Sequence, residues 1–369
     1  MSVGLRITGM IRRVVSSNIL GSCRRHAGGP APLVVPPSAD PQAVENGVEM
    51  NLFQAVNSAM DLALGMDPKV VHFGEDVAFG GVFRCSMGLQ KKYGSKRVFN
   101  SPLTEQGIAG FAVGMAAVGW KPIAEIQFAD YIFPAFDQIV NEAAKYRFRT
   151  GGKFDCGGLV FRAPCSAVGH GGLYHSQSVE GYFAHCPGLK IAMPSSPAEA
   201  KGLLLQCIAE PDPCIFLEPK ILYRTAVQSV NPAYFTIPLG KGRVLRQGSH
   251  VTIVTYGSQV YRALRAAEQA SQSGIEVEVI DLRSIIPWDR DLVADSVRKT
   301  GRAIVTHEAP VTCGFGAELI SCITSDCFLH LESPPLRVCG LDTPFPLHEA
   351  LYLPNEHKLV EAIKQTVQY

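Results

Sequence analysis

Eleven cysteines are scattered through the 369 residues, yet none pairs at C-x-x-C spacing or with histidines at zinc-ligand intervals. Neither a structural zinc site nor a disulfide framework is indicated, and free thiols fit a reducing compartment. No stretch reads as a membrane span: the nearly uncharged run 106–120 falls short of about 20 apolar residues and meets Lys121-Pro122. No G-x-G-x-x-G follows a strand, since Gly74-Glu75-Asp76 lacks the spacing and Gly314-Phe315-Gly316 is only a fragment. A Walker loop and a G-x-S-x-G elbow are also missing. Charge is sparse, at 18% of residues and net +1, and nothing in it resembles a nucleic-acid footprint.

What is present describes an ordinary globular chain, 47% hydrophobic and long enough for about two domains. Residues 1–47 stand apart. They carry Arg6, Arg12, Arg13, Arg24 and Arg25, no acid before Asp40, and Val3, Ile7, Met10, Ile11 and Val14 on one possible helical face. That pattern predicts a mitochondrial transit peptide, with a Pro-rich leader over 30–41. From residue 48, apolar runs of strand length alternate with helical periodicity. Strands are expected at 70–74, 97–100, 122–128, 158–162, 189–193 and 214–217, and helices after Asn51, around Leu89, over 130–148, and from a Ser196-Pro-Ala-Glu199 capping box. This alternation predicts a parallel sheet covered on both faces in a domain over 48–217. Residues 218–247 lack periodicity and read as a linker, and alternation resumes over 248–369 as a second, smaller α/β domain.

One stretch organises the first domain. Asn100-Ser-Pro-Leu-Thr-Glu-Gln-Gly107 leaves a short strand, presents Glu105, and enters a helix holding Gly107, Gly110 and Gly114, with Gly119 beyond. Each helix-interior glycine costs about 1 kcal/mol relative to alanine, so the run predicts close approach of another backbone. The plainer reading is a buried core helix. A carboxylate at the positive end of a helix is favoured in its ionised form, and burial opposes that. Further on, the loop 163–178 is dense in glycine and carries His170 and His175.

The blocks Phe73-Gly-Glu-Asp76, Ser101-Pro-Leu-Thr-Glu-Gln-Gly107, Glu125-Ile-Gln-Phe-Ala-Asp-Tyr131, Phe136-Asp-Gln-Ile-Val-Asn-Glu-Ala-Ala-Lys145, Tyr174-His-Ser-Gln-Ser178 and Asp281-Leu-Arg-Ser-Ile-Ile-Pro-Trp288 carry a resemblance. In this order they closely resemble the beta-subunit family of branched-chain 2-oxo acid dehydrogenases, from about residue 48 to the C-terminus. The motifs recur more loosely in pyruvate dehydrogenase beta subunits and transketolases. The resemblance implies two doubly wound α/β domains with largely parallel sheets, a transketolase-like pyrimidine-binding domain and a transketolase C-terminal-like domain.

It further implies thiamine diphosphate-dependent decarboxylation of the 2-oxo acids of leucine, isoleucine and valine, with acyl transfer to lipoyl groups. Glu105 matches the glutamate that hydrogen-bonds the aminopyrimidine and so helps the thiazolium carbon lose its proton. Tyr131 matches the aromatic residue packed on the aminopyrimidine, and Gln127 lies a turn earlier, toward the pocket. His175 matches the histidine beside the thiazolium, suited to proton transfer by an ordinary pKa near 6.5. Taken alone these residues would be core packing, a polar rim and a loop histidine, and His170 reads as loop architecture. The family also binds potassium through oxygens of two segments matching Gly157, Leu159 and Val160, and Cys207, Glu210 and Asp212, where Val160, Glu210 and Asp212 depart from the usual types. Its role would be to brace the His175 loop.

The Gly-Asp-Gly element that begins the magnesium and diphosphate site of such enzymes is absent. The resemblance therefore implies a partner alpha subunit holding that metal, an alpha2beta2 heterotetramer, docking on a lipoylated dihydrolipoyl acyltransferase core, and residence in the mitochondrial matrix. A pyruvate-specific relative and a non-catalytic scaffold are the alternatives. Tyr131, Gln127 and the Ala135-Phe136-Asp137 context favour the branched-chain version over the first, and Glu105 together with His175 counts against the second.

Overall fold

The computed structural model describes residues 33–34 and 47–369, which form one compact unit. The transit-peptide reading falls on residues outside that description. Strand β1 (Leu33–Val34) is followed by β2 (Val48–Asn51) and helix α1 (Leu52–Met66). Asn51 caps α1 reciprocally, its Oδ1 accepting from Gln54 N at 3.0 Å while Gln54 Oε1 accepts from Asn51 N at 2.9 Å. The helix buries Leu52, Ala55, Val56, Ala59, Met60 and Ala63 along one face. Then come β3 (Val70–Gly74), α2 (Leu89–Tyr93), β4 (Val98–Asn100), α3 (Glu105–Ala117) and β5 (Lys121–Glu125).

The single helix expected over 130–148 is broken. Two 3-10 turns, Ala129–Tyr131 and Phe133–Ala135, precede a π segment at Gln138–Ala143 and a short α4 (Tyr146–Arg149). Pro134 lacks an amide to donate, and the widened turn bonds Ala144 N to Ile139 O at 3.0 Å, five residues back. It sets Ala144 O against Gly188, where a Cβ would come within 2.1 Å.

The chain continues through β6 (Val160–Cys165), α5 (Glu180–Ala184), β7 (Lys190–Ala192), α6 (Pro197–Ala209) and β8 (Cys214–Pro219). Within 218–247, expected to be an aperiodic linker, lie α7 (Leu222–Thr225), β9 (Ala226–Val230) and β10 (Arg243–Arg246). Both strands are short and pair with distant segments, β9 with β2 and β1, and β10 with β12 (Val277–Asp281), so local alternation could not reveal them. The remainder is β11 (Val251–Thr255), α8 (Gln259–Ser271), then after β12 the strand β13 (Ser284–Ile286), α9 (Arg290–Thr300), β14 (Ala303–Pro310), α10 (Phe315–Cys327), β15 (Leu336–Gly340) and α11 (Glu356–Gln368).

Among the described residues the strands form three sheets. The largest has order β13-β7-β8-β6-β5-β3-β4, parallel except for β13, and the second has order β10-β12-β11-β14-β15, parallel except for β10. The third, β1-β9-β2, lies in a small ribbon. Because β13 comes from the C-terminal half yet edges the first sheet, the two α/β layers interlock. A buried ionic cluster ties them together. Glu199 does not complete the expected capping box on Ser196, although Ser196 Oγ accepts its N–H. Its carboxylate instead takes Ser195 N and Oγ at 3.2 and 2.8 Å and faces Arg283 Nε and Arg243 Nη2 at 3.1 and 3.3 Å. The two arginines outbid the helix terminus for the charge.

A second interlayer acid gives a pH test. Glu180 is fully buried, Tyr256 donates to its Oε1 at 3.0 Å, and Oε2 has no hydrogen-bond partner. Burial pushes its carboxyl up from 4.5 to about 7, and the nearby Glu308 acts in the same direction. The folded state therefore holds this proton more tightly than the unfolded one. Its contribution is fully present below pH 4.5 and is lost as the pH rises through 7. Glu180→Gln is expected to gain stability relative to the parent between pH 5 and pH 8 in urea titrations; an unchanged gap would contradict the assignment.

Candidate active site

In the large sheet β3 is flanked by β4 on one side and β5 on the other. The chain leaves β3 toward β4 and then crosses to β5, which opens a crevice at the carboxyl ends of these strands. Glu105 follows β4, Gln127 and Tyr131 follow β5, and His175 lies in the loop after β6, the next strand beside β5.

Glu105 opens α3, with Thr104 as the cap accepting Gly107 N at 3.4 Å, so the carboxylate stands at the positive end of the helix, half-buried. Beside it lies Glu75, directly after β3, which sequence reasoning left without a role. Glu75 is buried with Oε1 unpartnered. Burial, then the neighbouring charges of Glu105 and Asp76, hold its carboxyl above the usual range. Asp76 in turn accepts from Gln127 Nε2 at 3.1 Å. The Tyr131 hydroxyl lies 3.1 Å from His175 Nε2, and burial followed by Asp130, Glu105 and Glu75 push its pKa up. Phe128 packs edge-on against the rings of His175 and Tyr131, at 4.7 and 5.8 Å between centroids. Glu75, Asp76 and Phe128 were within reach of the sequence, because each follows a buried strand inside a quoted motif.

Asp130 registers the two halves of the site. Its Oδ1 accepts from Ser176 N and Gln177 N at 3.2 and 3.0 Å, so the residues next to Tyr131 and His175 are locked together. His170 lies on the exposed outer part of that loop.

The helix glycines do not do within this chain what the sequence suggests. A Cβ at Gly114 would meet nothing within 4 Å, and at Gly110 the nearest atom is Gln138 Oε1 at 3.2 Å. Gly107, Phe111, Gly114 and Val118 instead form an exposed stripe along α3. No backbone among the described residues of this chain closes on it.

The two segments read as a potassium site do come together. Gly158 N bonds Glu210 O at 2.8 Å, Cys214 N bonds Leu159 O at 2.9 Å, and Glu210 N bonds Cys207 O at 3.3 Å. Val160 pairs with Cys214 across β6 and β8, and a Cβ on Gly157 would meet Glu210 O at 3.4 Å. The acids there are already engaged: Lys190 contacts Glu210, and Arg147 Nε lies 2.8 Å from Asp212. A monovalent cation at this place would be left the second lone pairs of main-chain carbonyls. Among the described residues no cluster of three or more His, Cys, Asp or Glu is built to hold a metal.

Two α/β layers with acids and a histidine at the strand ends define a transketolase-type architecture. The model of the transketolase pyrimidine binding domain matches residues 48–226, and that of the transketolase C-terminal domain matches residues 240–359. A solved structure titled split gene transketolase, inactive beta4 tetramer, shares the fold at TM-score 0.69, with 24% identity, over 86% of this chain and 98% of that one. The 2-oxoisovalerate dehydrogenase subunit beta of Dictyostelium discoideum, named mitochondrial, is 58% identical over 93% of both chains. Its Arabidopsis thaliana counterpart, subunit beta 2, is 57% identical over 88% of this chain and 91% of the relative. The pyruvate dehydrogenase E1 component subunit beta of Acholeplasma laidlawii is more distant, 44% identical over 86% of this chain and 97% of its own. The chain belongs to the family of 2-oxoisovalerate dehydrogenase beta subunits, within the thiamine diphosphate-dependent 2-oxo acid dehydrogenases.

Proposed function

We propose that this chain is the beta half of an enzyme that decarboxylates branched-chain 2-oxo acids and passes the acyl group to lipoyl. The observation that carries the reading is the meeting of Glu105, Gln127, Tyr131 and His175 at one crevice, together with a buried acid, Glu75, whose Oε1 has no hydrogen-bond partner. An orphaned carboxyl oxygen next to a helix-end carboxylate suits a polar heteroaromatic ring with donor and acceptor nitrogens, as thiamine diphosphate has. When bound, that cofactor supplies an acidic ring carbon and a sink for the electrons released on decarboxylation.

Glu105 would hold the aminopyrimidine by a hydrogen bond, Tyr131 and Phe128 would supply an aromatic wall for it, and Gln127 is kept at the rim by Asp76. His175, tied to Tyr131 through Nε2, exchanges a proton with the reacting oxygen and with the lipoyl sulfur. The diphosphate and magnesium belong to an alpha subunit, which seats on the exposed stripe Gly107, Phe111, Gly114 and Val118 in an alpha2beta2 heterotetramer. A potassium ion would be held between Gly157, Leu159 and Val160 and Cys207, Glu210 and Asp212 by main-chain oxygens. The C-terminal domain docks on the lipoylated dihydrolipoyl acyltransferase core, in the mitochondrial matrix.

Coexpression with an alpha subunit tests the substrate reading: carbon dioxide release is expected to be rapid from 2-oxoisovalerate and slow from pyruvate, and the reverse order would overturn it. In that assembly His175→Ala is expected to damage acyl transfer to lipoyl at least as severely as decarboxylation. Wild-type rates for both half-reactions would remove His175 from the mechanism.

A further inference from the structure

The outer turn of the loop that carries His175 is held from the other domain by one buried carboxylate, that of Glu349. Glu349 begins a short 3-10 turn near the C-terminus and is 4% exposed. Its Oε1 accepts from Val168 N at 3.2 Å, Gly171 N at 3.0 Å and Ser176 Oγ at 2.9 Å, and its Oε2 accepts from Gly169 N at 2.5 Å. Three amides of one turn converge on one anion, which is the arrangement of a backbone nest filled from within the chain. Gly169 has φ +118, a conformation that L side chains rarely adopt, which lets the turn curl around the carboxylate.

The turn is mechanically tied to the histidine. A Cβ on Gly171 would lie 2.3 Å from Ser176 Oγ and 2.7 Å from the His175 carbonyl oxygen, so the two backbones are in contact. Ser176, the next residue, is pinned twice: its N–H by Asp130 and its hydroxyl by Glu349. Glu308, also from the C-terminal domain, holds the root of the loop by accepting from Ala167 N at 2.9 Å. With Glu349 gone, the far side of the turn would keep none of these bonds and its outer residues 168–170 already face solvent.

We propose that Glu349 is a positioning residue for His175, through which the C-terminal domain sets the geometry of an active site built on the other sheet. This rests on the reading of His175 given above. An amide in place of the carboxylate offers one acceptor oxygen and turns an NH₂ toward loop amides that are themselves donors.

The test uses the assembled alpha2beta2 enzyme carrying E349Q, H175A, or both. For E349Q, kcat is expected to fall at least tenfold with KM for 2-oxoisovalerate within twofold, sizing unchanged, and amide-exchange protection lost at Gly169 and Gly171. The double variant should be no slower than H175A, because Glu349 acts only through that ring. A kcat for E349Q within twofold of wild type, or a double variant slowed by the product of the two single effects, overturns the proposal. Wild-type turnover in H175A would instead fell the reading of His175, and the proposal with it. If E349Q fails to assemble, S176A decides, since it removes only one of the four bonds: a threefold or larger loss of kcat, absent on the H175A background, supports positioning, and an unchanged kcat refutes it.

Discussion

Glu105→Gln, assembled with an alpha subunit, is expected to lose about 10²–10⁴-fold in the rate of carbon dioxide release while the complex runs at its normal size. The substitution is nearly isosteric, and the side chain stays in the first turn of α3, where Thr104 supplies the cap independently. Folding and assembly should therefore be spared. What disappears is a carboxylate that stands at a helix N-terminus beside a second acid, Glu75. Glu75 supplies an internal readout. Its carboxyl is raised by burial and then by the charge of Glu105, so removing that charge should bring it back toward the ordinary carboxylate range. The residual activity of Glu105→Gln should accordingly follow a pH profile displaced to the acid side of the parent's. A variant that decarboxylates at the parental rate would mean Glu105 is a helix-end residue and nothing more.

The reach of the sequence was uneven for physical reasons. Elements that obey a local rule were legible: Asn51 with Gln54 at α1, the fully buried run of β3, and the strand that delivers Glu105. The structure also gathers Glu105, Gln127, Tyr131 and His175 at one end of the large sheet, because residues that follow parallel strands are placed by topology. Elements fixed by distant partners were not legible. The strand β9 exists because β1 and β2 lie beside it, and β13 because the chain turns back onto β7 through Arg283, whose φ is +62. The helix over 130–148 carries a clean apolar stripe, yet Pro134 and the π turn divide it. Glu349 had no signal at all, since nothing in Leu347-His348-Glu349 says that four groups about 175 residues earlier will need an anion.

The largest effect on stability is expected from Arg162→Met. Arg162 is completely buried in β6, with Nη1 2.6 Å from Glu125 and its other edge paired to Glu218, whose Oε2 also accepts Nη2 at 2.9 Å and the Tyr223 hydroxyl at 2.6 Å. One guanidinium thus serves two buried carboxylates, and His72 Nε2 lies 3.3 Å from the same Glu125 oxygen that Arg162 Nη1 contacts. Burial alone would raise the Glu125 carboxyl, but Arg162 and His72 overcome it and hold the group at about 2. Since that value is depressed, the stabilisation it represents is present above pH 4.5 and lost as the pH falls through 2. Methionine fills the volume and removes the only guanidinium between the two acids. Breaking such a buried pair costs about 3–5 kcal/mol, which is a large part of the stability of most domains. The cost should be recoverable, because the penalty comes from uncompensated charge and not from lost packing. Arg162→Met combined with Glu125→Gln and Glu218→Gln is expected to return most of the denaturation midpoint that the single change removes. The consequence reaches the crevice too, since Ile126 N bonds Arg162 O at 2.8 Å and Gln127 follows directly. A midpoint for Arg162→Met equal to the parent's at pH 7 would show that the charges beneath the active site are carried by something other than this guanidinium.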